Sequence, residues 1–361
     1  MPAADTETLR HAVGAVLLPG LDCSLEQAGT RISLQLAANG EAQCEVTLGF
    51  NAGSLAPDLV RDIKAALTPT QAQVKVLTDI RSHAVQGQLK PLPGIRNVIA
   101  VASGKGGVGK STTAVNLALA LQADGARVGI LDADIYGPSQ PTLLGIAGQR
   151  PVSKDGKTFE PLLAHGLQVI SIGFLVDQAQ AVIWRGPMVT QALQQMLFQT
   201  NWRDLDYLIV DLPPGTGDTQ LTLTQKVPLS GAVIITTPQD IALLDARRGL
   251  QMFEKVSVPV LGVIENMSSY VCPECGHEEA LFGAGGGDTL ARESAVPVLG
   301  QVPLDIRIRT EADEGCPTVA AEPEGELTRR YQAIARRLAL ELARRPVDHK
   351  GAFPDIVVEG A

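Results

Sequence analysis

From residue 95 onward, short continuous apolar segments alternate with stretches that have helical spacing. Seven of these segments are predicted to be strands: 97–102, 127–131, 167–172, 207–210, 232–236, 260–264 and 298–302. Strands that are apolar throughout are buried on both faces, and their alternation with helices is typical of parallel sheets. The pattern therefore predicts an α/β domain with a mostly parallel sheet covered by helices on both faces. A closing helix is predicted over 322–345.

The N-terminal part of the chain has a different pattern. Apolar residues alternate with polar ones over 31–37 and 41–48, which predicts two strands of a hairpin around Asn39-Gly40. Helical spacing predicts helices over 8–17 and 55–67. A last strand is predicted at 74–77, so this part is expected to form a small α+β domain.

Changes in composition along the chain predict where the domains begin and end. Residues 82–94 mix polar residues with proline and glycine, which is typical of a linker. We therefore expect the α+β domain at 1–81, the linker at 82–94, the main domain at 95–345 and a tail at 346–361.

Composition narrows the function classes. The 361 residues are 45% hydrophobic and 19% charged, with a net charge of −9, which is a globular balance and argues against general nucleic-acid binding. No segment reaches the roughly 18 consecutive apolar residues of a membrane span. The N-terminus lacks the basic-then-apolar order of a secretory signal. Five cysteines are sparse for this length and fit a reducing compartment, so a cytoplasmic location is expected.

The segment 103–113 carries a phosphate-binding loop. It matches the pattern G-x-x-x-x-G-K-[ST] between an apolar strand and a helical stretch, which is the context this motif requires. Its glycines let several backbone N–H groups point at one anion. Lys110 is expected to reach the β- and γ-phosphates, Ser111 to hold Mg²⁺ and Thr112 to lie at the α-phosphate. The predicted nucleotide-binding residues of the loop are Gly104, Lys105, Gly106, Gly107, Val108, Gly109, Lys110, Ser111 and Thr112.

Carboxylates follow two of the predicted strands. Asp132 and Asp134 come after the strand at 127–131, and Asp211 directly follows the strand at 207–210. The carboxyl ends of parallel strands lie beside the phosphate site, so these side chains are expected near Mg²⁺. Gly215 is predicted to offer a backbone N–H to the γ-phosphate, in a loop that moves when this phosphate leaves. The guanine-specific pattern Asn-Lys-x-Asp is absent from the sequence, which favours ATP over GTP.

Cys272 and Cys275 form a C-x-x-C pair in a predicted loop. Such a pair can direct both sulfurs at one metal centre, but two thiolates leave this centre half ligated. A symmetric dimer would supply four. From the residues alone, the alternatives are an iron–sulfur cluster between two copies, zinc in the same cage, a redox disulfide, or a loop without metal chemistry.

Taken together, these motifs resemble those of a known family. Lys105 matches the deviant Walker A class, which includes nitrogenase reductases, septum-site and partition ATPases. The phosphate loop, the cysteine pair and the segments 131–139, 237–240, 265–268 and 303–307 resemble the Mrp/ApbC-type iron–sulfur cluster carriers. The resemblance implies a P-loop NTPase fold and a slow ATPase. It further implies a homodimer that holds a [4Fe–4S] cluster through Cys272 and Cys275. Such a dimer receives the cluster from assembly scaffold proteins and transfers it to apo-proteins.

The resemblance also implies roles for individual residues. Lys105 would reach the partner's nucleotide, Asp132 would support Mg²⁺ through water, and Asp134 would orient or activate the attacking water. Asn266 and Pro303 would lie at the adenine. The catalytic set is thus Lys105, Lys110, Asp134 and Asp211. The N-terminal part resembles, more weakly, the small domain that bacterial members carry before the ATPase. Since 49–54 lacks the cysteine of that domain, no metal chemistry is assigned to it.

A second hypothesis is a positioning or partition ATPase that acts on a membrane surface or on DNA. The C-terminal helix carries six arginines and an apolar stripe formed by Tyr331, Ile334, Leu338 and Leu342. This stripe could lie on a membrane or pack against the sheet, and packing is the expected outcome. Stable membrane association and nucleic-acid binding are therefore not expected.

Overall fold

The computed structural model describes residues 5–87, 89–175, 186–272 and 274–348. The helices are α1 Thr6–Gly14, α2 Ala56–Ala66, α3 Lys110–Ala123, α4 Gln140–Leu143, α5 Gly186–Phe198, α6 Asp218–Lys226, α7 Asp240–Lys255, α8 Gly286–Glu293, α9 Ile306–Asp313, α10 Thr318–Ala321 and α11 Glu326–Ala343. The strands are β1 Arg31–Leu36, β2 Ala42–Leu48, β3 Ala72–Thr78, β4 Ile95–Ser103, β5 Val128–Asp132, β6 Leu162–Ala164, β7 Leu167–Ser171, β8 Leu205–Asp211, β9 Gly231–Thr236, β10 Val260–Val271, β11 Glu278–Glu279 and β12 Val298–Leu304.

The N-terminal elements form a small α+β domain. Strands β1 and β2 are antiparallel with Leu34 opposite Cys44, and β3 lies parallel to β2. The inward residues of β2 are buried and α1 and α2 pack beside this sheet, so the alternation seen in the sequence places one face of the sheet in a core. The predicted hairpin, helices and third strand are confirmed. Cys23 and Cys44 are buried in this core.

The main domain is built on a mostly parallel sheet. Within the described residues its strand order is β6-β7-β5-β8-β4-β9-β10-β11, with β12 also paired to β10. All pairings except β6–β7 and β10–β11 are parallel. The predicted fold class and all seven predicted strands are confirmed. The short strands β6 and β11 were not predicted, because three and two residues are too few to set up a pattern.

Strand β10 continues beyond the predicted end at residue 264. Its pairing with β12 shifts register between Asn266 and Tyr270, and Met267 has a φ of 56°. A bulge of this kind bends a strand while letting it continue. The strand therefore carries the chain out of the core to Val271, directly before Cys272.

The closing helix is confirmed as α11 and packs on α3 and β12. Its apolar stripe is at most 2% exposed: Tyr331, Ile334, Leu338 and Leu342. The apolar stripe of α11 is therefore packed inside the protein and is not available to bind a membrane surface. No described helix is long and apolar enough to cross a bilayer.

The N-terminal domain contacts the main domain through a buried ionic cluster. Arg336 of α11 donates to both carboxylate oxygens of Asp124, at 2.7 and 2.9 Å, and Asp124 follows the last residue of α3. Ser54 of the small domain donates to the same carboxylate and accepts from Arg336. Between the domains, the side chains of His83, Gln86 and Leu92 are buried. Val347 pairs with His83, and of the predicted tail the segment 349–361 lies outside the described residues.

Candidate functional site

The phosphate loop connects the carboxyl end of β4 to the first turn of α3. Gly107 and Gly109 have φ values of 82° and 79°, a region that favours glycine. A Cβ on Gly104 would lie 2.2 Å from the backbone carbon of Asp245, and a Cβ on Gly109 would lie 2.2 Å from Asn266 Nδ2. Glycine is therefore needed at position 107 for conformation, at position 104 for space and at position 109 for both. Backbone N–H groups at the start of a helix are suited to bind an anion.

Lys110 is buried among carboxylates. Its Nζ donates to Asp211 Oδ1 and to Ser111 Oγ at 3.1 Å, and it lies 3.8 Å from Asp134 Oδ2. Asp132 lies opposite Asp211 on the neighbouring strands β5 and β8. The structure thus brings together the predicted lysine, the serine and all three predicted aspartates.

Two of these aspartates, Asp132 and Asp134, have raised pKa values. Burial, followed by the charge of Asp211, raises the pKa of Asp132 to about 8, although Ser171 and the backbone of Gln140 donate to it. Burial also raises the pKa of Asp134 despite the nearby Lys110. Carboxylates with raised pKa values around one lysine are a favourable setting for a further cation.

Buried polar atoms without a partner also mark this region. Asp134 Oδ1, Ser139 Oγ and Gln140 Oε1 have no hydrogen-bond partner among the described residues. Buried polar groups are normally satisfied, so these three oxygens in one segment are atoms that a hydrated ligand could supply with partners. These residues fit Mg²⁺ with its waters, which Ser111 and the carboxylates would hold.

Gln140 is a site residue that was missed from the sequence. It is fully buried, and its Nε2 donates to Ser111 O at 3.1 Å and to Asp211 Oδ2 at 2.8 Å. Its backbone N–H donates to Asp132 at 3.1 Å. It follows the segment 131–139 directly, which was the one available signal. Gln140 therefore links the phosphate loop to both carboxylate-bearing strands.

The other predicted residues surround this centre. Lys105 is half-buried, and within the described residues its ammonium has no ion-pair partner, while Thr112 lies in the first turn of α3. Gly106 and Gly107 are exposed, and Val108 is buried. Gly215 donates its N–H to Ser103 O at 2.9 Å, so in this state the predicted phosphate donor binds the base of the phosphate loop.

Asn266 and Pro303 lie on adjacent strands at the same edge. Asn266 of β10 donates to Val108 O at 2.9 Å and is opposite Val302, the residue before Pro303. Asn266 therefore lies directly against the phosphate loop. Pro303, the residue after Val302 on β12, is buried.

Cys272 and Cys275 lie at the tip of the hairpin formed by β10 and β11. The tip is closed by hydrogen bonds from Cys272 N to His277 O and from Gly276 N to Cys272 O, each 2.9 Å long. Gly276 has a φ of 70°, which lets the chain turn there. Cys272 is half-buried and Cys275 is exposed, and both are free thiols.

The hairpin favours the thiolate form of Cys272. Backbone N–H groups of Cys275 and Glu274, together with the Cys275 thiol, lower the pKa of Cys272. Thiolates are the form that binds metals. No group of three or more metal-ligating side chains occurs among the described residues, so within one chain this pair supplies half of a tetrahedral site.

The fold and the site define a P-loop NTPase. A family model described as "NUBPL iron-transfer P-loop NTPase", of the ParA group, matches residues 94–339. The chain belongs to this family, which confirms the resemblance drawn from the sequence.

Curated relatives cover most of the chain. An iron–sulfur cluster carrier protein of Synechocystis is 46% identical over 91% of this chain and 96% of its own length. The carrier of Escherichia coli K12 is 59% identical over 69% of this chain and 68% of its own length. The mouse iron–sulfur cluster transfer protein NUBPL is 49% identical over 74% and 84%.

Solved structures agree with this assignment. A nucleotide-binding protein of Archaeoglobus fulgidus in complex with ADP is 38% identical, with a TM-score of 0.56 over 65% of this chain and 91% of its own. The MinD cell-division ATPase of Pyrococcus furiosus, 21% identical with a TM-score of 0.51 over 67% and 98%, shares the fold alone.

Proposed function

We propose that this protein is an ATP-dependent iron–sulfur cluster carrier. Two copies hold one [4Fe–4S] cluster through Cys272 and Cys275 of each chain and transfer it to apo-proteins after receiving it from an assembly scaffold. The names of the curated relatives support this function. The observation that carries it is the cysteine hairpin, because it presents two accessible sulfurs and stabilises a thiolate.

The stoichiometry of the cysteine pair supports the homodimer. An iron–sulfur cluster of this type takes four thiolates, and one hairpin provides two. Each hairpin tip then lies on the two-fold axis of the dimer. Val271, Leu281 and Phe282 are exposed beside the tip, by 43%, 51% and 37%, and would be covered by the second copy. The half-buried Lys105 would reach the partner's nucleotide.

The phosphate loop and its carboxylates support ATP binding with Mg²⁺. Lys110 would meet the β- and γ-phosphates in exchange for its contact with Asp211, and Ser111 and Asp211 would hold the metal with Asp132 acting through water. The metal would screen the charge of the phosphates. Asp134 would accept the proton of the attacking water, and its raised pKa suits a group that takes up a proton.

Nucleotide exchange would change the geometry of the dimer and so control cluster release. Gly215 donates to Ser103 in this state, and binding of a γ-phosphate by the same N–H requires its loop to move. Hydrolysis is expected to be slow without a partner protein. A cytoplasmic location agrees with the low cysteine content, five in 361 residues.

Anaerobic reconstitution with iron and sulfide tests the proposal. We expect about four irons per two chains, with the absorption and Mössbauer signature of a [4Fe–4S] cluster. The double variant Cys272→Ser/Cys275→Ser should lose the cluster and remain folded, because Cys275 is exposed and Cys272 is only half-buried at the tip of the hairpin. Cys316→Ser is the matched control, since it removes a thiol elsewhere and should keep the cluster.

Two results would contradict the carrier function. The first is zinc bound in place of iron, or a disulfide between Cys272 and Cys275. The second is a cluster that survives loss of both cysteines, which would place it at other residues.

A further inference from the structure

A buried glutamate lies between the phosphate loop and the cysteine hairpin. Glu265 of β10 is 1% exposed, and one of its carboxylate oxygens accepts the backbone N–H of Gly287. The other accepts from Gln301 Nε2 of β12 at 3.0 Å. Both oxygens are thus satisfied inside the sheet edge, where a free carboxylate would be costly.

The partner of Glu265 is the start of helix α8, which directly follows the cysteine hairpin. The first N–H groups of a helix lack partners within the helix and carry positive potential. The segment 281–287, which leads into the first turn of α8, is rich in glycine, as in loops that bind an anion. Here the anion is the protein's own Glu265, so this helix start serves as an anchor for the end of the hairpin.

Close packing leaves this anchor little freedom. A Cβ on Gly287 would lie 2.9 Å from Glu265 Oε2, and a Cβ on Gly286 would lie 2.8 Å from Pro238 O. Glycine is therefore needed at both positions for α8 to approach β10 and the loop after β9. The chain leaves β10 at Val271, forms the cysteine tip and returns to β10 at Gly287.

The next residue of β10 contacts the nucleotide site. Asn266, the residue after Glu265, donates to Val108 O of the phosphate loop at 2.9 Å. Neighbouring residues of one strand point to opposite faces, so Glu265 and Asn266 hold two different partners on one rigid piece of backbone. A shift of the phosphate loop that moves Asn266 also moves Glu265 and the end of the hairpin.

We propose that Glu265 is a positioning residue for the cysteine pair. By anchoring α8 to the strand that contacts the phosphate loop, it makes the geometry of Cys272 and Cys275 depend on the bound nucleotide. This inference rests on the proposed function for its biological meaning, and it can be tested on the chain without a cluster.

The test measures alkylation of Cys272 by iodoacetamide, followed by mass spectrometry, in the full-length protein without iron. Saturating Mg-ADP or a non-hydrolysable ATP analogue is expected to change the rate in the wild type by about fivefold or more. In Glu265→Ala this ratio should fall to about one. The Kd of Mg-ADP should stay within about twofold, because within the described residues the Glu265 carboxylate is hydrogen-bonded to Gly287 and Gln301 and to no residue of the phosphate loop.

Three further variants separate positioning from charge and from general stability. Glu265→Gln keeps an oxygen that can accept the Gly287 N–H and should restore much of the ratio. Glu279→Gln removes an exposed carboxylate of the hairpin itself and should leave the ratio as in the wild type. Gly287→Ala disturbs the contact between Glu265 and α8 by a change in α8 instead of in β10. It provides the test if Glu265→Ala does not fold.

Either of two results would overturn the inference. One is a wild-type alkylation rate that is the same with and without nucleotide. The other is a wild-type ratio in a folded Glu265→Ala or Gly287→Ala variant. Failure of the carrier function would appear separately, as a lack of iron uptake in the wild type with the nucleotide-dependent ratio intact.

Discussion

Asp134, which is proposed to act in ATP hydrolysis, should lower the free energy of unfolding of the nucleotide-free protein. Its Oδ1 is buried without a hydrogen-bond partner, and Lys110, 3.8 Å from its Oδ2, is already bonded to Asp211. Burial and repulsion from Asp211 disfavour the ionised carboxylate of Asp134, and together they outweigh the attraction of Lys110, so the pKa of Asp134 is raised. Asparagine carries no charge and avoids this cost, although its amide must still find partners. We therefore expect Asp134→Asn to raise the free energy of unfolding at pH 7 by about 1 kcal/mol.

The pH dependence follows from the raised pKa of Asp134. A carboxyl group with a raised pKa binds its proton more tightly in the folded state, so its unfavourable effect is absent below the unfolded pKa near 3.8. The effect grows as the pH rises from that value through the folded pKa. The advantage of Asp134→Asn should therefore be largest near neutral pH and should decline towards pH 4.

Urea unfolding without nucleotide or Mg²⁺, at several pH values, measures this difference. ATP hydrolysis by the same variant should fall about 10²–10⁴-fold if Asp134 takes the proton of the attacking water. Asp218→Asn is the control, because it removes an exposed carboxylate at the start of α6 and should change stability little. A variant Asp134→Asn that is less stable than the wild type at pH 7 would refute the reasoning.

Two other predictions concern the domain contact and the thiols. Arg336→Ala leaves the carboxylate of Asp124, 2% exposed, without its cation and should lower the free energy of unfolding by about 3–5 kcal/mol. Urea unfolding measures this loss, and an equal effect of the exposed Arg345→Ala would contradict the explanation. In the cluster-free protein, the lowered pKa of Cys272 should make it react with iodoacetamide at a lower pH than a free cysteine. Buried Cys44, whose pKa is raised to about 11, should stay unmodified, and an equal rate for both would refute this order.

Much of this protein could be predicted from short stretches of its sequence. The seven predicted strands of the main sheet are mostly apolar segments of four to six residues, and the phosphate loop and the cysteine pair are contiguous motifs. Their chemistry depends on residue type and spacing within about ten positions, which a single sequence displays. Asp132 and Asp211 were also predicted to lie near each other, because parallel strands end at the same edge of a sheet.

Other features depend on residues that are far apart in the chain. Gln140 contacts Asp211 across 71 positions, Arg336 contacts Asp124 across 212, and Glu265 meets Gly287 across 22. The sequence around each of these residues does not indicate which distant residue it will contact.

Tertiary structure decides these contacts because burial gives them their strength. In water, exposed pairs of this kind contribute little, and the same side chains would point to solvent. Once the sheet and its helices exclude water, each buried polar atom must find a partner, and the partner available depends on which strands are neighbours. The sequence by itself therefore determined the elements and the chemistry they carry. The packing of the sheet decided how the nucleotide site is joined to the cysteine hairpin.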